Sequence, residues 1–410
     1  MSAKGWKTER LQNLCSLITD GKHGDCRNQD NSGYYFLSAK DVSNGKLSYE
    51  NARQITKEDF QATNKRTRLE PFDTLLTNSG TIGRMALATD HKLTARTTFQ
   101  KSVALLKPIR EKVLPIFLYY CLTARKSDIV NTASGTTQQN LLLGDLRSFE
   151  ISIPESMETQ RRIADILSAL DEKIELNRQT NATLEAIAQA IFKEWFVNFN
   201  FPGATGEMIE SELGMIPKGW RVGTVADILV LANETMSPGV TPDKLFSHYS
   251  IPAFDSGHVP SQELGSTILS NKYKVKSNSI LVSKLNPRIP RIWTLKEVNQ
   301  ETSVCSTEFQ VLLPQKTHYY SFAANFFSQP SVIDTMKSRS SGTSGSHQRI
   351  NPQDILDINI VVPTDSLLAL YDKIAGNYFH CIINGLEESI ILAKIRDSLL
   401  PKLMNGEIVI

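Results

Sequence analysis

The sequence predicts an α+β fold in which two repeated globular modules are separated by two long α-helices that pair as an antiparallel coiled coil. The repetition is the first observation behind this prediction, because Gly5-Trp6 returns at Gly219-Trp220. The apolar run that closes at Pro108 likewise returns in a run that closes at Pro314. Such motifs recur at offsets of 206 to 214 residues, which indicates tandem duplication of a whole module.

Within each module, short β-rich runs lie among clusters of Gly, Asn, Ser and Thr, a pattern typical of strands joined by turns. Helical stretches intervene, which makes each module α+β. We expect the modules to span residues 1–154 and 216–363, with a Gly-containing linker at 202–215. The predicted strands centre on Leu75, Val103 and Ile151 in the first module and on Leu281, Val311 and Ile360 in the second.

The two acidic segments, residues 155–201 and 364–410, carry the heptad spacing of paired helices. Both seams turn polar at their middles, at Asn177 and Asn181 in one and at Gly385 and Glu388 in the other. This correspondence favours mutual pairing over two helices packed separately on their own domains, although Gly385 could instead break the second helix. The repeat runs through Ile163, Leu167, Leu170 and Ile174, and through Leu367, Tyr371, Ile374 and Tyr378.

Charge is unevenly distributed along a chain whose formal net charge is only +2. Residues 1–153 carry 22 Lys and Arg against 15 Asp and Glu, and residues 211–363 carry 14 against 12. The two helical segments are net acidic. Basic modules favour contact with nucleic-acid phosphates.

Cysteine usage and hydropathy exclude several classes of protein. The 5 cysteines form no C-x-x-C pair, so we expect neither a disulfide framework nor a zinc site. No apolar stretch reaches the length of a membrane span, and the N-terminal residues do not resemble a secretory signal. A reducing, cytoplasmic location is therefore expected.

The helical sequence from Gln160 to Pro202 strongly resembles the central helical region of the specificity (S) subunit of type I restriction-modification enzymes. Residues Ile395 to Ile408 are similar to the end of its C-terminal helical region. The strings Lys4 to Trp6 and Ile216 to Trp220 look like the starts of its two target recognition domains. The resemblance covers the whole chain in order.

This resemblance implies that each target recognition domain reads one half of a bipartite DNA sequence, while the helices set the unspecified spacer. The chain itself would be non-catalytic and would bind no cofactor. Its partners would be double-stranded DNA, two modification subunits that use S-adenosylmethionine to methylate adenine, and two restriction subunits that use ATP and Mg²⁺ to translocate and cut DNA.

Two alternatives remain open: a self-contained DNA methyltransferase or nuclease, and a coiled-coil adaptor that does not bind DNA. Motifs argue against the enzyme, because Asn351-Pro352 lacks the second proline and the aromatic residue of an adenine methyltransferase motif. The Gly-rich segments at residues 79–84 and 341–349 lack the Lys-Ser/Thr that ends a P-loop. Asp171 and Lys173 could belong to a metal-dependent nuclease site, but we expect them to lie on a solvated face of the central helix. Basic charge argues against the adaptor.

The candidate DNA contacts are residue types that read bases or bind phosphates and that lie in polar loops at matching places in both modules. The two loops that begin with Ser-Gly-Thr, at residues 134–136 and 341–343, are the strongest candidates because each precedes a strand leading to a long helix. The candidates are Lys22, His23, Ser38, Lys40, Asn78, Ser79, Thr81, Arg84, Thr136, Thr137, Gln138, Gln139 and Asn140 in the first module, and Lys284, Asn286, Arg288, Arg291, Ser344, Ser346, His347, Gln348 and Arg349 in the second.

Overall fold

The computed structural model describes residues 5–43, 45–89, 91–134, 139–341 and 348–410, apart from the side chain of His91. The chain divides into two compact units. The first unit comprises Met1–Glu175 and Ser389–Ile410, and the second comprises Leu176–Glu388. Each unit therefore contains one predicted module together with part of each long helix.

Both modules contain a four-stranded antiparallel sheet with the same strand order. In the first unit the order along the sheet is Cys15–Asp20, Val103–Pro108, Thr74–Thr77 and Met85–Leu87. In the second unit it is Leu229–Leu231, Phe309–Pro314, Ser279–Ser283 and Ile292–Leu295. The matching order confirms that the sequence repeat is a structural repeat.

A second sheet in each module is built around one parallel strand pair, Tyr35–Leu37 with Thr97–Phe99 and Leu245–Tyr249 with Ser303–Cys305. A two-stranded ribbon closes each module, by pairing Trp6–Arg10 with Glu150–Pro154 and Arg221–Thr224 with Asn359–Val362. The remaining strands are Val42–Ser43, Lys46–Leu47 and Arg53–Gln54 in the first unit, and Met208–Ser211, Gly214–Pro217, Thr235–Met236, Ser261–Leu264 and Lys272–Lys274 in the second.

Short helices cover these sheets and lead into their strands. In the first unit the α-helices of the module are Leu11–Leu14, Lys57–Thr67, His91–Thr94, Pro115–Ala124, Lys126–Asn131 and Leu143–Ser148, with a 3-10 turn at Ala39–Asp41. In the second unit they are Ile251–Asp255, Tyr320–Phe327, Pro330–Ser338 and Pro352–Leu356, with 3-10 turns at Val225–Asp227, Pro238–Val240, Gly265–Thr267 and Thr317–Tyr319.

Two long helices follow the modules at the predicted places. The central helix spans Met157–Phe192, and the amide of Thr159 donates to the Ser156 hydroxyl at 3.3 Å, as expected of an N-cap. The C-terminal helix spans Asp365–Met404 and continues through Gly385, so that glycine does not break it. In the described ranges, no helix is both long enough and apolar enough to cross a membrane.

In the first unit the two helices share one hydrophobic core with the module. Ile163 and Leu167 of the central helix belong to the same buried cluster as Leu403 of the C-terminal helix. Asp171 joins the three elements, because its carboxylate accepts from the Tyr120 hydroxyl at 2.7 Å and from Arg396 Nη1 at 2.6 Å. The expectation that Asp171 lies on a solvated helix face is therefore wrong.

In the second unit the polar seam residues meet one another. Asn177 Nδ2 donates to Glu388 Oε2 at 2.8 Å and to the Gly385 carbonyl at 3.3 Å, and Asn181 Nδ2 donates to the Ile382 carbonyl at 3.1 Å. As residue numbers increase along the central helix, from Asn177 to Asn181, the numbers of their partners decrease along the C-terminal helix, from Glu388 to Ile382. This confirms antiparallel pairing. Because both asparagines are buried, these hydrogen bonds fix the register of the pair.

The central helix ends in a π-helical turn, Lys193–Val197, which buries two consecutive aromatic side chains. Trp195 and Phe196 both pack on Tyr371 of the C-terminal helix, with ring centroids 5.7 and 5.0 Å apart. Phe196 also contacts Phe322 of the module at 4.9 Å. A π-turn presents neighbouring residues to one core, so the helix end is fixed to the second module by aromatic packing.

The predicted linker contains regular structure. Met208–Ser211 and Gly214–Pro217 form an antiparallel two-stranded hairpin, called the linker hairpin below. The sequence shows no apolar alternation there, because three consecutive residues of the first strand, Met208, Ile209 and Glu210, are all exposed. The hairpin leads directly into Trp220, whose ring packs on Phe201 at 5.1 Å.

The tight contact at Gly385 generates the first prediction. A Cβ atom at this position would lie 2.7 Å from Asn181 Oδ1, so Gly385→Ala must displace a buried amide that is hydrogen-bonded to the opposite helix. We expect a loss of about 1–3 kcal/mol in unfolding free energy, measured by urea denaturation.

Gly376 provides the matched control on the same helix. A Cβ atom there meets nothing closer than 3.7 Å, so Gly376→Ala should stabilise the chain by up to about 1 kcal/mol through helix propensity. Equal gains from the two substitutions would show that the Asn181 contact does not constrain the helix pair.

Candidate nucleic-acid interface

In the first unit, the structure brings together two polar loops that are about 60 residues apart in the sequence. Ser79 forms an antiparallel bridge with Asn140, and the amide of Leu141 donates to the Asn78 carbonyl at 2.8 Å. The ends of the Ser-Gly-Thr loop are tied together as well, because Ser134 and Asn140 exchange backbone hydrogen bonds of 3.0 and 2.9 Å. The residues at both loop bases therefore form one surface.

The Thr77 side chain shapes the first of these loops. Its hydroxyl donates to the Thr81 carbonyl at 2.5 Å and accepts from the Arg84 amide at 2.9 Å. Gly80 and Gly83 take positive φ values of 74° and 85°, a conformation that glycine adopts without strain. The turn is closed by its own side chain, so the polar residues at its tip are held in place.

The second unit repeats this arrangement with different residues. Leu285 forms an antiparallel bridge with Arg349, and the amide of Ile350 donates to the Lys284 carbonyl at 3.1 Å. Ser341 and Arg349 exchange two backbone hydrogen bonds of 3.0 Å, which close the base of the second Ser-Gly-Thr loop. An additional bond runs from the Asn286 amide to the Gln348 carbonyl at 2.8 Å.

The bridges of the two units correspond one to one. Ser79 with Asn140 is equivalent to Leu285 with Arg349, and the closure at Ser134 is equivalent to the closure at Ser341. The sequence predicts each loop as a separate candidate. The structure adds that the two candidates in each module are one site built on a shared backbone frame.

The tip of the second-unit loop presents an arginine to solvent. Asn286 takes a left-handed conformation with φ 49°, and the Ile289 amide closes a turn on the Asn286 carbonyl at 2.9 Å. Arg288 lies at the exposed tip, and no hydrogen bond or ion pair of its side chain occurs among the described residues. Its guanidinium is available for a phosphate or a guanine edge.

Two other predicted arginines are held by carboxylates. Arg291 makes a bidentate pair with Asp255 at 2.7 and 2.8 Å, and this hydrogen bonding lowers the pKa of Asp255. Arg349 makes a bidentate pair with Glu308 at 2.9 and 3.2 Å, which raises the pKa of the Arg349 guanidinium. These ion pairs orient both arginines. To bind DNA, either guanidinium must use a hydrogen-bond donor that its carboxylate leaves free, or exchange the carboxylate for the DNA group.

Sequence reasoning missed Asp255 and Glu308. Each lies 36 to 41 residues from its arginine, and no local motif marks either one. The available signal was weak: Asp255 ends a Tyr-x-x-x-Ala-x-Asp string that begins at Tyr249 and also occurs from Tyr35 to Asp41, so its recurrence was the sole mark on it.

Lys22 and His23 lie on a separate turn of the first module. Lys22 bridges Gln100 through its backbone, and His23 Nε2 lies 2.7 Å from Asp20 Oδ2. Arg66 fixes the same turn, since its guanidinium contacts the Asp20 carboxylate at 3.1 Å and the Gly21 carbonyl. Arg66, which lies in the basic cluster formed by Lys65, Arg66 and Arg68, therefore has a structural role in holding this turn.

Other predicted residues stand apart from the paired loops. The Ser38 hydroxyl donates to Asp41 at 2.8 Å and caps a 3-10 turn, while Lys40 is exposed on that turn. Among the described residues, no hydrogen bond or ion pair joins either one to the loops at 77–84 or 134–141. Asn78 is 8% exposed, so its backbone supports the loop while its side chain is buried.

The central parts of both Ser-Gly-Thr loops lie outside the described residues. The candidates of these two loops that the structure describes lie at the loop bases, where their side chains are half-buried or exposed. The predicted contacts outside the described ranges are Thr136, Thr137, Gln138, Ser344, Ser346 and His347. Those described at the loop bases are Gln139, Asn140, Gln348 and Arg349.

Comparison with known proteins identifies a domain in the first half of the chain. Residues 3–186 match the family model described as the type I restriction modification DNA specificity domain. The match covers the first module and most of the central helix.

Similarity to individual proteins extends over most of the chain. The sequence is 28% identical over 395 residues to the MjaIX type I restriction enzyme specificity subunit of Methanocaldococcus jannaschii, covering 91% of this chain and 86% of that protein. It is 25% identical over 378 residues to the HindI specificity subunit of Haemophilus influenzae, covering 74% and 79%. The solved S subunit of the type I restriction-modification system of M. genitalium shares the fold, with a TM-score of 0.57, 17% identity and coverage of 97% and 96%.

A backbone contact beneath the Lys22 turn yields the second prediction. A Cβ atom on Gly21 would overlap the carbonyl oxygens of Phe99 and Gln100, which are fixed by the sheet and cannot move aside. Gly21→Ala should therefore destabilise the chain by about 3 kcal/mol, measured by thermal or urea unfolding.

Gly144→Ala is the matched control, because a Cβ atom there meets nothing within 4 Å. We expect it to change stability by less than about 1 kcal/mol. A Gly21→Ala variant as stable as this control would show that the turn can relax.

Proposed function

We infer that this chain, which belongs to the family of type I restriction-modification specificity subunits, recognises a bipartite DNA sequence with one half-site for each module. DNA recognition is the role of this family, and the assignment of one half-site to each module is our proposal. The modules correspond to the two target recognition domains expected from the sequence.

The repeated pair of loops is the observation that supports this proposal most strongly. Equivalent backbone bridges hold two polar loops together in each module, while the side chains that the loops carry differ. A backbone arrangement shared by the two modules, with different side chains in its loops, is suited to recognition of two different half-sites. Arginine, asparagine and glutamine, which occur in these loops, are the side chains that pair with guanine and adenine edges.

Chemistry on the DNA is proposed to reside on partner subunits. Specificity subunits of this family are non-catalytic, and the family implies association with DNA and with other restriction-modification subunits. We propose two modification subunits that bind S-adenosylmethionine, and two restriction subunits that use ATP and Mg²⁺. The cytoplasmic location expected from the sequence stays a prediction.

The long helices are proposed to set the spacer between half-sites. The central helix has 36 residues and the C-terminal helix 40, so they extend about 54 and 60 Å at 1.5 Å per residue. Both pass from one unit into the other, at Glu175–Leu176 and Glu388–Ser389. The buried asparagines Asn177 and Asn181 fix the register of the two helices. The number of residues in each helix therefore sets the length of the helix pair.

Arg288 provides the test of the DNA-reading loop. Arg288→Ala should weaken binding of the assembled complex to its cognate DNA about tenfold, because an exposed guanidinium with an unshared charge is lost. If Arg288 binds a phosphate, the slope of log affinity against log salt should fall by about 1. If it reads a base, discrimination at one position should relax by about 1–3 kcal/mol.

Lys276→Ala is the matched control, since Lys276 is exposed in the same module but lies 3.6 Å from Glu234. We expect cognate affinity to stay within about twofold of the unsubstituted complex. Unchanged affinity and unchanged sequence preference in Arg288→Ala would remove this loop from the interface.

Spacer length is tested by inserting a heptad into both helices, after Glu175 and after Glu388. Seven residues preserve the phase of the seam and lengthen each helix by about 10 Å, or about three base pairs at 3.4 Å. Adenine-methylome sequencing should show unchanged half-sites separated by about three more base pairs. A heptad in the central helix alone is the control and should give no such shifted motif. An unchanged spacer in the double insertion would contradict the proposal.

A further inference from the structure

The polar loop at residues 283–291 of the second module is one residue longer than its counterpart at residues 77–84 of the first. The amide of Thr77 donates to the Arg84 carbonyl at 2.8 Å, and the amide of Ser283 donates to the Arg291 carbonyl at 3.0 Å. Each of these bonds follows directly on an equivalent antiparallel strand pair, so the two loops are aligned at both ends. The second loop therefore contains one residue more between its aligned ends.

An isoleucine occupies the same place in both loops, two residues before the aligned arginine. Ile82 of the first loop is half-buried and packs against the hydrophobic core of the first unit. Ile289 of the second loop is 51% exposed and belongs to no hydrophobic cluster formed by the described residues. Single exposed apolar residues are common on protein surfaces. Here, however, the same residue type is covered in one module and presented to solvent in the other.

The residue after each isoleucine accounts for this difference. In the first loop that residue is Gly83, whose amide donates to the Thr77 carbonyl at 2.9 Å and draws the tip of the loop toward its strand. In the second loop it is Pro290, which has no N–H group and cannot form this bond. The missing bond and the additional residue together explain why Ile289 is not folded back onto its module.

Two prolines hold the longer tip in one conformation. Pro287 is buried, and it occupies the second position of the turn that the Ile289 amide closes on the Asn286 carbonyl at 2.9 Å. The fixed φ of proline favours that position of a turn. Pro290 restricts the backbone of Ile289 to an extended conformation. The side chain of Ile289 therefore lies on a stiff support, which lowers the entropy cost of binding a rigid partner.

The surroundings of Ile289 select DNA bases as that partner. The preceding residue, Arg288, carries a guanidinium that is exposed and unpaired among the described residues. A positive charge beside an apolar side chain is complementary to the major groove of DNA, where phosphates and guanine acceptors lie near the 5-methyl groups of thymines. Only 51% of Ile289 is exposed, so its side chain has too little free length to insert between stacked base pairs as an apolar wedge does.

We propose that Ile289 contacts the 5-methyl group of a thymine in the half-site that the second module recognises. This inference rests on the proposed function and deepens it, because it names a specificity-determining residue and the chemical group that it recognises. Ile82 is covered by its own module, so the first module lacks an equivalent contact at this position. The two modules thus use one backbone arrangement for different base contacts.

Replacement of thymine by uracil tests the contact directly, because it removes the 5-methyl group and leaves base pairing unchanged. Cognate duplexes, identified by adenine-methylome sequencing, are synthesised with uracil in place of one thymine at a time. Binding to the assembled complex is measured by fluorescence anisotropy at one fixed salt concentration. At one position, uracil should weaken binding of the unsubstituted complex about fourfold, as expected for the loss of a single methyl contact.

Variants of Ile289 connect this response to the side chain. Ile289→Ala should bind the thymine duplex at least about fourfold more weakly and should show no further loss with uracil, since both changes remove the same contact. Ile289→Val retains a branched apolar side chain and should keep the response to uracil. Val240→Ala is the matched control, because Val240 is a 79% exposed aliphatic residue of the second module outside this loop. It should leave both the affinity and the response to uracil unchanged.

Three outcomes would overturn the proposal. Uracil could weaken binding at none of the thymines, or Ile289→Ala could respond to uracil at every position as the unsubstituted complex does. Alternatively, 2-aminopurine fluorescence could reveal a base step that is unstacked by the unsubstituted complex and not by Ile289→Ala, which would make the isoleucine a wedge. Failure of the proposed function gives a distinct result, because the unsubstituted complex would then bind cognate and scrambled duplexes equally. Failure of this inference alone leaves that preference intact.

Discussion

The pairing of the central and C-terminal helices is the constraint on which the rest of the molecule depends. In the second unit, Asn177 and Asn181 donate to the backbone and to Glu388 of the opposite helix, and Gly385 leaves room for this contact. In the first unit, Asp171 ties the helices to the module through Tyr120. Buried polar groups of this kind tolerate one register, because a shift would leave them without partners. Each module is therefore attached to a helix pair of defined alignment.

Duplication gives this architecture two equivalent backbone frames, each of which holds a pair of polar loops together. The four-stranded sheets have the same order, and equivalent bridges at Ser79 and Leu285 join two loops in each module. Backbone hydrogen bonds carry the frame, so side chains in the loops can change without loss of the fold. In the second module, for example, Asp255 orients Arg291 and Glu308 orients Arg349.

Sequence reasoning succeeded where periodicity was strong and failed where contacts were distant. Heptad spacing and repeated motifs predicted the helices, the modules and the strands at Leu75 and Val311. The sequence does not decide whether the C-terminal helix is continuous, because Gly385 by itself disfavours a helix and Asn181, which packs against this glycine, is distant in sequence. Asp171 was expected in solvent, since its partners Tyr120 and Arg396 are not visible in local pattern. The linker hairpin was missed because its exposed strands lack apolar alternation.

The duplication, the helix seams, the polar loops and the resemblance to specificity subunits can all be read from the amino-acid sequence, because each depends on local spacing and composition. Which loops meet, which arginines are paired and which apolar residues stay exposed becomes visible in the folded chain. Those properties depend on contacts between residues tens to hundreds of positions apart, such as Asp255 with Arg291 and Asn181 with Ile382. Local propensity contains no information on such distances, since chain folding alone brings the partners together.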